Sequence, residues 1–169
     1  MRPTSSCVAA FLRETGAEAR LEEFRDDATT ARDAARAAGC ELAQVVKSLV
    51  VDCDGRPVLV LVPGDRKLDL EKVARAARAE RARIATAAEV EATTGFTPGG
   101  VAPFPLRGIG AVYLDRTLLA HEHVWVGAGS PRHLAVLKPA ELARLARAES
   151  IDAVVEAPYH PPEGEPAHA

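Results

Sequence analysis

Residues 44–52, QVVKSLVVD, read as a buried β-strand interrupted by one cation, Lys47. Side chains alternate across a strand, so Lys47 shares its face with Val45, Leu49 and Val51, while Gln44, Val46, Ser48 and Val50 take the other. For a lysine on the more apolar face two readings stay open: a stem that snorkels to the sheet edge, or an ammonium held in a pocket for a ligand. A Ser–Lys nucleophilic pair with Ser48 fails on geometry, because neighbours on a strand point opposite ways and do not exchange a proton. GAGSP, residues 127–131, is not the G-x-S-x-G elbow of a nucleophilic serine, since Pro131 stands in its last position and Ser130 reads as a turn residue. His133 opens a strand pattern and has the acid–base competence of any histidine. HEH, with His121 and His123, needs further ligands to hold a metal, and no second His/Cys cluster has ligand spacing. No metal and no cofactor are expected.

The second candidate is the loop TPGGVAPFP, residues 97–105. Gly99 and Gly100 permit close backbone approach and positive φ, and Pro98, Pro103 and Pro105 stiffen the flanks, so amide N–H groups can be fixed facing a ligand oxygen. An ordinary surface loop has the same composition, so by itself the motif is weak evidence for an oxyanion or carbonyl site. A side chain at Gly100 is expected to fill substrate space with little effect on stability.

These residues need elements to position them. Ser5 or Ser6 caps a helix through CVAAFLRET that stops at Gly16, and ARLEEF alternates as a short strand. Thr30 with Asp33 starts a helix that Gly39 ends, delivering the chain into the Lys47 strand. DCDGRP has the turn chemistry to fold that strand back on VLVLVP as an antiparallel hairpin. Asp69 caps LEKVARAARAE, RARIA returns as a strand, and Thr86 with Glu89 forms a capping box. After the glycine loop, IGAVYLD, HVWVGAG and HLAVLK give three more strands, and Pro139 opens a last helix, AELARLARAE. Helices between hairpin-like strand groups define an α+β domain around a mixed, mostly antiparallel sheet.

A chain of 169 residues, 47% hydrophobic, has the size for one good core and one domain, set at residues 1–156. APYHPPEGEPAHA, residues 157–169, has too little apolar content to pack and is expected to be a flexible tail. A net charge of −3 leaves nucleic acid open but unsupported as a partner. The apolar runs are too short for a signal peptide or a membrane span, so a cytoplasmic protein is expected. Cys7, Cys40 and Cys53 lie far apart with no C-x-x-C and read as reduced packing residues.

Taken together and in order, CELAQVVKSLVV, GFTPGGVAPFP, AVYLDRTLLAHEHVWVGAG and LAVLKPAELARL resemble the YbaK/ProX-type aminoacyl-tRNA deacylases, relatives of the editing domain inserted in bacterial prolyl-tRNA synthetases. The resemblance implies their α+β fold with a barrel-like sheet surrounded by helices. It implies a trans-editing hydrolase that cleaves the ester of mischarged aminoacyl-tRNA, with no cofactor. In that family the lysine of the VVKSLV strand is required for activity, which falls on Lys47, and a G-x-x-x-P loop lines the site, matched by Gly99, Gly100, Val101 and Pro103. Lys47 is then a fixed cation that holds the terminal aminoacyl-adenosine through phosphate or carbonyl oxygen. Asp115, Gly127 and Gly129 fall in the family's second pocket-forming segment, as substrate-binding or purely structural residues. The implied partners are the acceptor end of an aminoacyl-tRNA, with proline tRNA the favoured carrier, and a synthetase. The chain reads GGVAP where cysteine editors read GG-C-S-P, and Gly127 stands near where some alanine editors use a histidine, so the resemblance leaves the amino acid open beyond a small side chain. A non-catalytic module that binds the tRNA end or a small ligand and associates with a synthetase is the competing reading.

Overall fold

The structure is a computed structural model that describes residues 4–97 and 99–164. Pro98, expected to stiffen the glycine loop, and residues 165–169 of the expected tail lie outside the described residues.

Five α-helices and eight strands are formed among the described residues: α1 (Ser5–Glu14), β1 (Ala19–Glu23), α2 (Ala31–Ala38), β2 (Val46–Cys53), β3 (Arg56–Pro63), α3 (Leu70–Ala76), β4 (Ala82–Ile84), α4 (Ala87–Thr94), β5 (Val112–Asp115), β6 (Val124–Gly127), β7 (His133–Leu137), α5 (Pro139–Ala146) and β8 (Ala148–Ile151). The domain is α+β, and its strands make two sheets, β1-β7-β6 and β4-β2-β3-β5-β8. The β1/β7, β6/β7, β2/β3 and β2/β4 pairings are antiparallel; β3/β5 and β5/β8 are parallel. The expected barrel-like sheet is not what forms, because neither sheet closes, and between them there is one isolated bridge, Val45 to Trp125.

The β2–β3 hairpin follows from its turn. Cys53 pairs with Arg56 across Asp54 and Gly55, which both have positive φ, 54° and 84°, the geometry whose twist matches the flanking strands. The Asp52 carboxylate accepts the Gly55 N–H at 2.7 Å. Both faces of the hairpin are covered, so its strands are near-continuous apolar runs. Val46, Val50, Leu59 and Leu61 join the main core with residues of β5, β6, β7, α1 and α5; Leu49, Val51, Val60 and Val62 pack with Val73 and Ala77 at α3 on the other face. A third cluster sets Ala31 and Ala34 of α2 against Trp125, Leu134 and Val136.

Four expectations shift by local chemistry. The first helix is capped at Thr4, not at Ser5 or Ser6. Gln44 lies in a 3-10 turn (Leu42–Gln44), with Glu41 and Gln44 closing a capping box, so the strand begins at Val46. Helix α3 ends early because Arg78 turns at φ 54°. The last helix stops at Ala146, where Arg147 at φ 52° redirects the chain into β8, a strand the helix-forming composition of AELARLARAE conceals.

Candidate functional site

Lys47 is 6% exposed and stands on the β2 face of Leu49 and Val51. Its ammonium donates to the Arg66 carbonyl at 2.7 Å and lies 5.5 Å from the centre of the Tyr159 ring, a cation–π distance. The cation is therefore fixed by the protein, not carried out to solvent on a free stem. Tyr159 belongs to the segment expected to be a tail, and that segment crosses the body: the Tyr159 N–H donates to Asp65 O at 2.8 Å, Arg32 Nε to Pro161 O at 2.9 Å, and the Arg66 guanidinium to Glu156 O.

Ser48 takes the opposite face of β2, the side of Val46 and Val50. There it lines a cavity of about 30 Å³ with Gly99, Val101, Gly127, Trp125 and Ala34. The glycine loop forms this wall because it is pressed against residues 127–130. The Gly129 N–H donates to Gly100 O at 3.0 Å. A Cβ at Gly127 would lie 2.3 Å from Val101 O, and one at Gly100 would lie 2.8 Å from Ser130 Cα, so both positions need glycine for close backbone contact. The expectation that a side chain at Gly100 spares stability is thereby overturned: the obstacle is neighbouring backbone. The Gly100 N–H donates to Thr97 O at 3.0 Å, whereas the buried Val101 and Ala102 N–H groups meet no acceptor among the described residues.

Between these two features runs an open strand edge. Strand β4 pairs only with Val51, Asp52 and Cys53 of β2, and among the described residues no strand pairs with that edge from Val46 to Leu49. The edge thus separates the fixed ammonium from the glycine-walled cavity.

The remaining expected residues fall elsewhere. Asp115 is fully buried, its Oδ1 accepting the Ala153 N–H at 2.8 Å and its Oδ2 the Thr117 N–H at 3.1 Å and the Thr117 hydroxyl, so the carboxylate secures the chain after β5 and the β8 exit. Pro103 lines a different, open pocket with Phe104, Phe11 and Arg147. His133 Nδ1 is 2.5 Å from Ser130 Oγ, three residues earlier, and its Nε2 lies 3.9 Å from Glu23 Oε1 of β1, which only the pairing of β1 with β7 brings close. Sequence reasoning passed over two residues: Ser48, dismissed as half of a nucleophile pair, and Tyr159, whose aromatic ring in a Pro-rich segment was the available signal. Among the described residues no group of three or more His, Cys, Asp or Glu side chains is placed to hold a metal, and no helix is long and apolar enough to cross a membrane.

The domain is thus a two-sheet α+β fold with a buried lysine on one face of β2 and a glycine-walled cavity on the other. Residues 25–145 match the Aminoacyl-tRNA editing domain family, and the chain belongs to it. It is similar to the uncharacterized protein YwhH of Bacillus subtilis, 34% identical over 137 residues, covering 80% of this chain and 87% of YwhH. It is also similar to EbsC of Enterococcus faecalis, a candidate Cys-tRNA(Pro)/Cys-tRNA(Cys) deacylase, 30% identical over 63% of this chain and 65% of EbsC. A solved structure of a candidate trans-editing enzyme for prolyl tRNA synthetase superimposes with a TM-score of 0.83 at 36% identity, over 92% of this chain and 99% of that one.

Proposed function

We propose that this protein is a cytoplasmic trans-editing hydrolase that cleaves the ester of a small amino acid mischarged onto tRNA, with proline tRNA the favoured carrier. The observation that carries the reading is the edge of β2, with the buried Lys47 ammonium on one side and the cavity walled by Gly99, Val101 and Gly127 on the other. The terminal aminoacyl-adenosine lies across this edge. Lys47 draws a phosphate or carbonyl oxygen, and the amide of Val101, in the wall of the cavity, is a donor for the oxygen that gains charge as water attacks. The residues named supply no general base beside the cavity. The ribose hydroxyl next to the ester takes that part, orienting the attacking water while the protein holds the reacting atoms in place.

The test is single-turnover deacylation of a panel of aminoacyl-tRNAs by the native protein and by Lys47→Met, which keeps the buried stem. The variant is expected to melt cooperatively and to lose at least roughly a hundredfold in kcat/KM, the scale of losing one charge-stabilising donor. A tRNA lacking only the neighbouring ribose hydroxyl is expected to bind and to react at least about a hundredfold more slowly. Undiminished activity of Lys47→Met removes the lysine from the mechanism. Binding of the whole panel with no cleavage replaces the hydrolase by a tRNA-end binding module.

A further inference from the structure

Ser48 is 4% exposed, and its Oγ has no hydrogen-bond partner among the described residues. A buried hydroxyl left unpaired is costly, and native folds rarely carry one without a use for it. The Ser48 side chain is on the cavity, whose wall is otherwise apolar at Ala28, Ala34, Val45 and Leu134. At about 30 Å³ the cavity holds on the order of two water-sized groups. Gly127 and Ala34 are among the residues that line it, so part of its wall carries little or no side chain.

We propose that this cavity receives the side chain of the esterified amino acid, and that Ser48 selects a small side chain ending in a hydroxyl or thiol over a methyl. The proposal rests on the deacylase reading above and names its substrate class. The dimensions admit Cβ and one further heavy atom; a branched or cyclic side chain overfills them. A hydroxyl both donates and accepts, so Ser48 pairs with a seryl oxygen or, more weakly, with a cysteinyl sulfur. An alanyl methyl fills part of the same space and leaves Ser48 unpaired. A site built to bond a polar atom discriminates strongly against the analogue that lacks it.

The experiment compares kcat/KM for seryl, cysteinyl and alanyl esters of one tRNA, using the native protein and Ser48→Ala. The native protein is expected to favour the seryl or the cysteinyl ester over the alanyl ester at least roughly tenfold, and the variant to lower that ratio by a similar factor. The seryl and cysteinyl arms separate hydroxyl from thiol recognition. Because Ser48→Ala removes an unpaired polar atom, its melting temperature is expected to be no lower than the native value. If that variant does not fold, Ser48→Cys keeps the shape with a weaker donor and is expected to reduce the preference part way. A ratio unchanged by substitution, or a native preference for alanyl, overturns the proposal while leaving a deacylase. Cleavage of none of the three esters overturns the proposal, and the deacylase reading falls with it only when the whole aminoacyl-tRNA panel also stays uncleaved.

Discussion

Gly127 shows how much of the site depends on a missing side chain. Its Cβ position lies 2.3 Å from the carbonyl oxygen of Val101, so the strand and the loop approach more closely than any other residue allows. Gly127→Ala is expected to force the loop away from β6, at a cost of about 1–3 kcal/mol, the usual range for overpacking. Urea denaturation measures that loss. The displacement also changes the cavity wall, so kcat/KM is expected to fall for every ester, unlike the selective change at Ser48. An alanine variant of native stability would show that the wall yields easily and that glycine is not required there.

At the scale of elements, α4 and β4 are tied by one carboxylate. Glu89 closes the capping box of α4 by accepting the Thr86 N–H at 3.0 Å, and the Arg83 guanidinium of β4 binds it through both oxygens at 2.8 Å. The Arg83 guanidinium, with the Thr86 cap bonds behind it, pulls the Glu89 carboxyl from its ordinary 4.5 down to about 2. A lowered folded-state value means the stabilisation is fully present above pH 4.5 and is lost as pH falls through about 2. Glu89→Gln retains a capping side chain but not the ion pair. The native protein is therefore expected to melt above this variant at neutral pH, with the difference shrinking from pH 4.5 toward 2. Thermal melts across that range check it, and a constant difference would show that the ion pair contributes nothing.

At the scale of the whole molecule, residues after Glu156 cover the Lys47 side of the five-stranded sheet. Tyr159 faces the ammonium, Pro161 is buried, and its carbonyl accepts from Arg32 of α2. The eight strands and five helices of the described residues precede this segment, so a chain ending at Glu156 is expected to fold. Loss of a few contacts worth about 1 kcal/mol corresponds to a drop of roughly 2–4 °C in melting temperature for a chain of this size. Lys47 should become more accessible, and its acylation by an amine-reactive reagent, followed by peptide mass spectrometry, is expected to be faster in the truncated protein. Equal labelling rates would mean that the segment does not shield the lysine.

The order of elements is carried by short-range chemistry, and the sequence alone determines it. Asp54-Gly55 makes the hairpin, Thr30, Asp69 and Thr86 start helices, Gly39 and Gly95 end them, and alternation puts Lys47 and Ser48 on opposite faces of one strand. Each of these signals acts within about four residues, the reach of a turn or a cap. Strand β8 had no such signal, because Arg147 adopts a left-handed cap without glycine and only pairing with β5, more than thirty residues earlier in the chain, makes the following residues extended. The site was legible as a set of residue types, Lys47 and the Gly99–Gly100 loop, but its geometry was not. Only the packing of the loop on residues 127–130 closes the cavity around Ser48, and only the return of the chain past Glu156 brings Tyr159 to Lys47. Both depend on long-range contacts whose partners no local pattern specifies, so the tertiary structure alone decided what covers each face of the strand: Tyr159 over the cation, and the loop packed on residues 127–130 around Ser48.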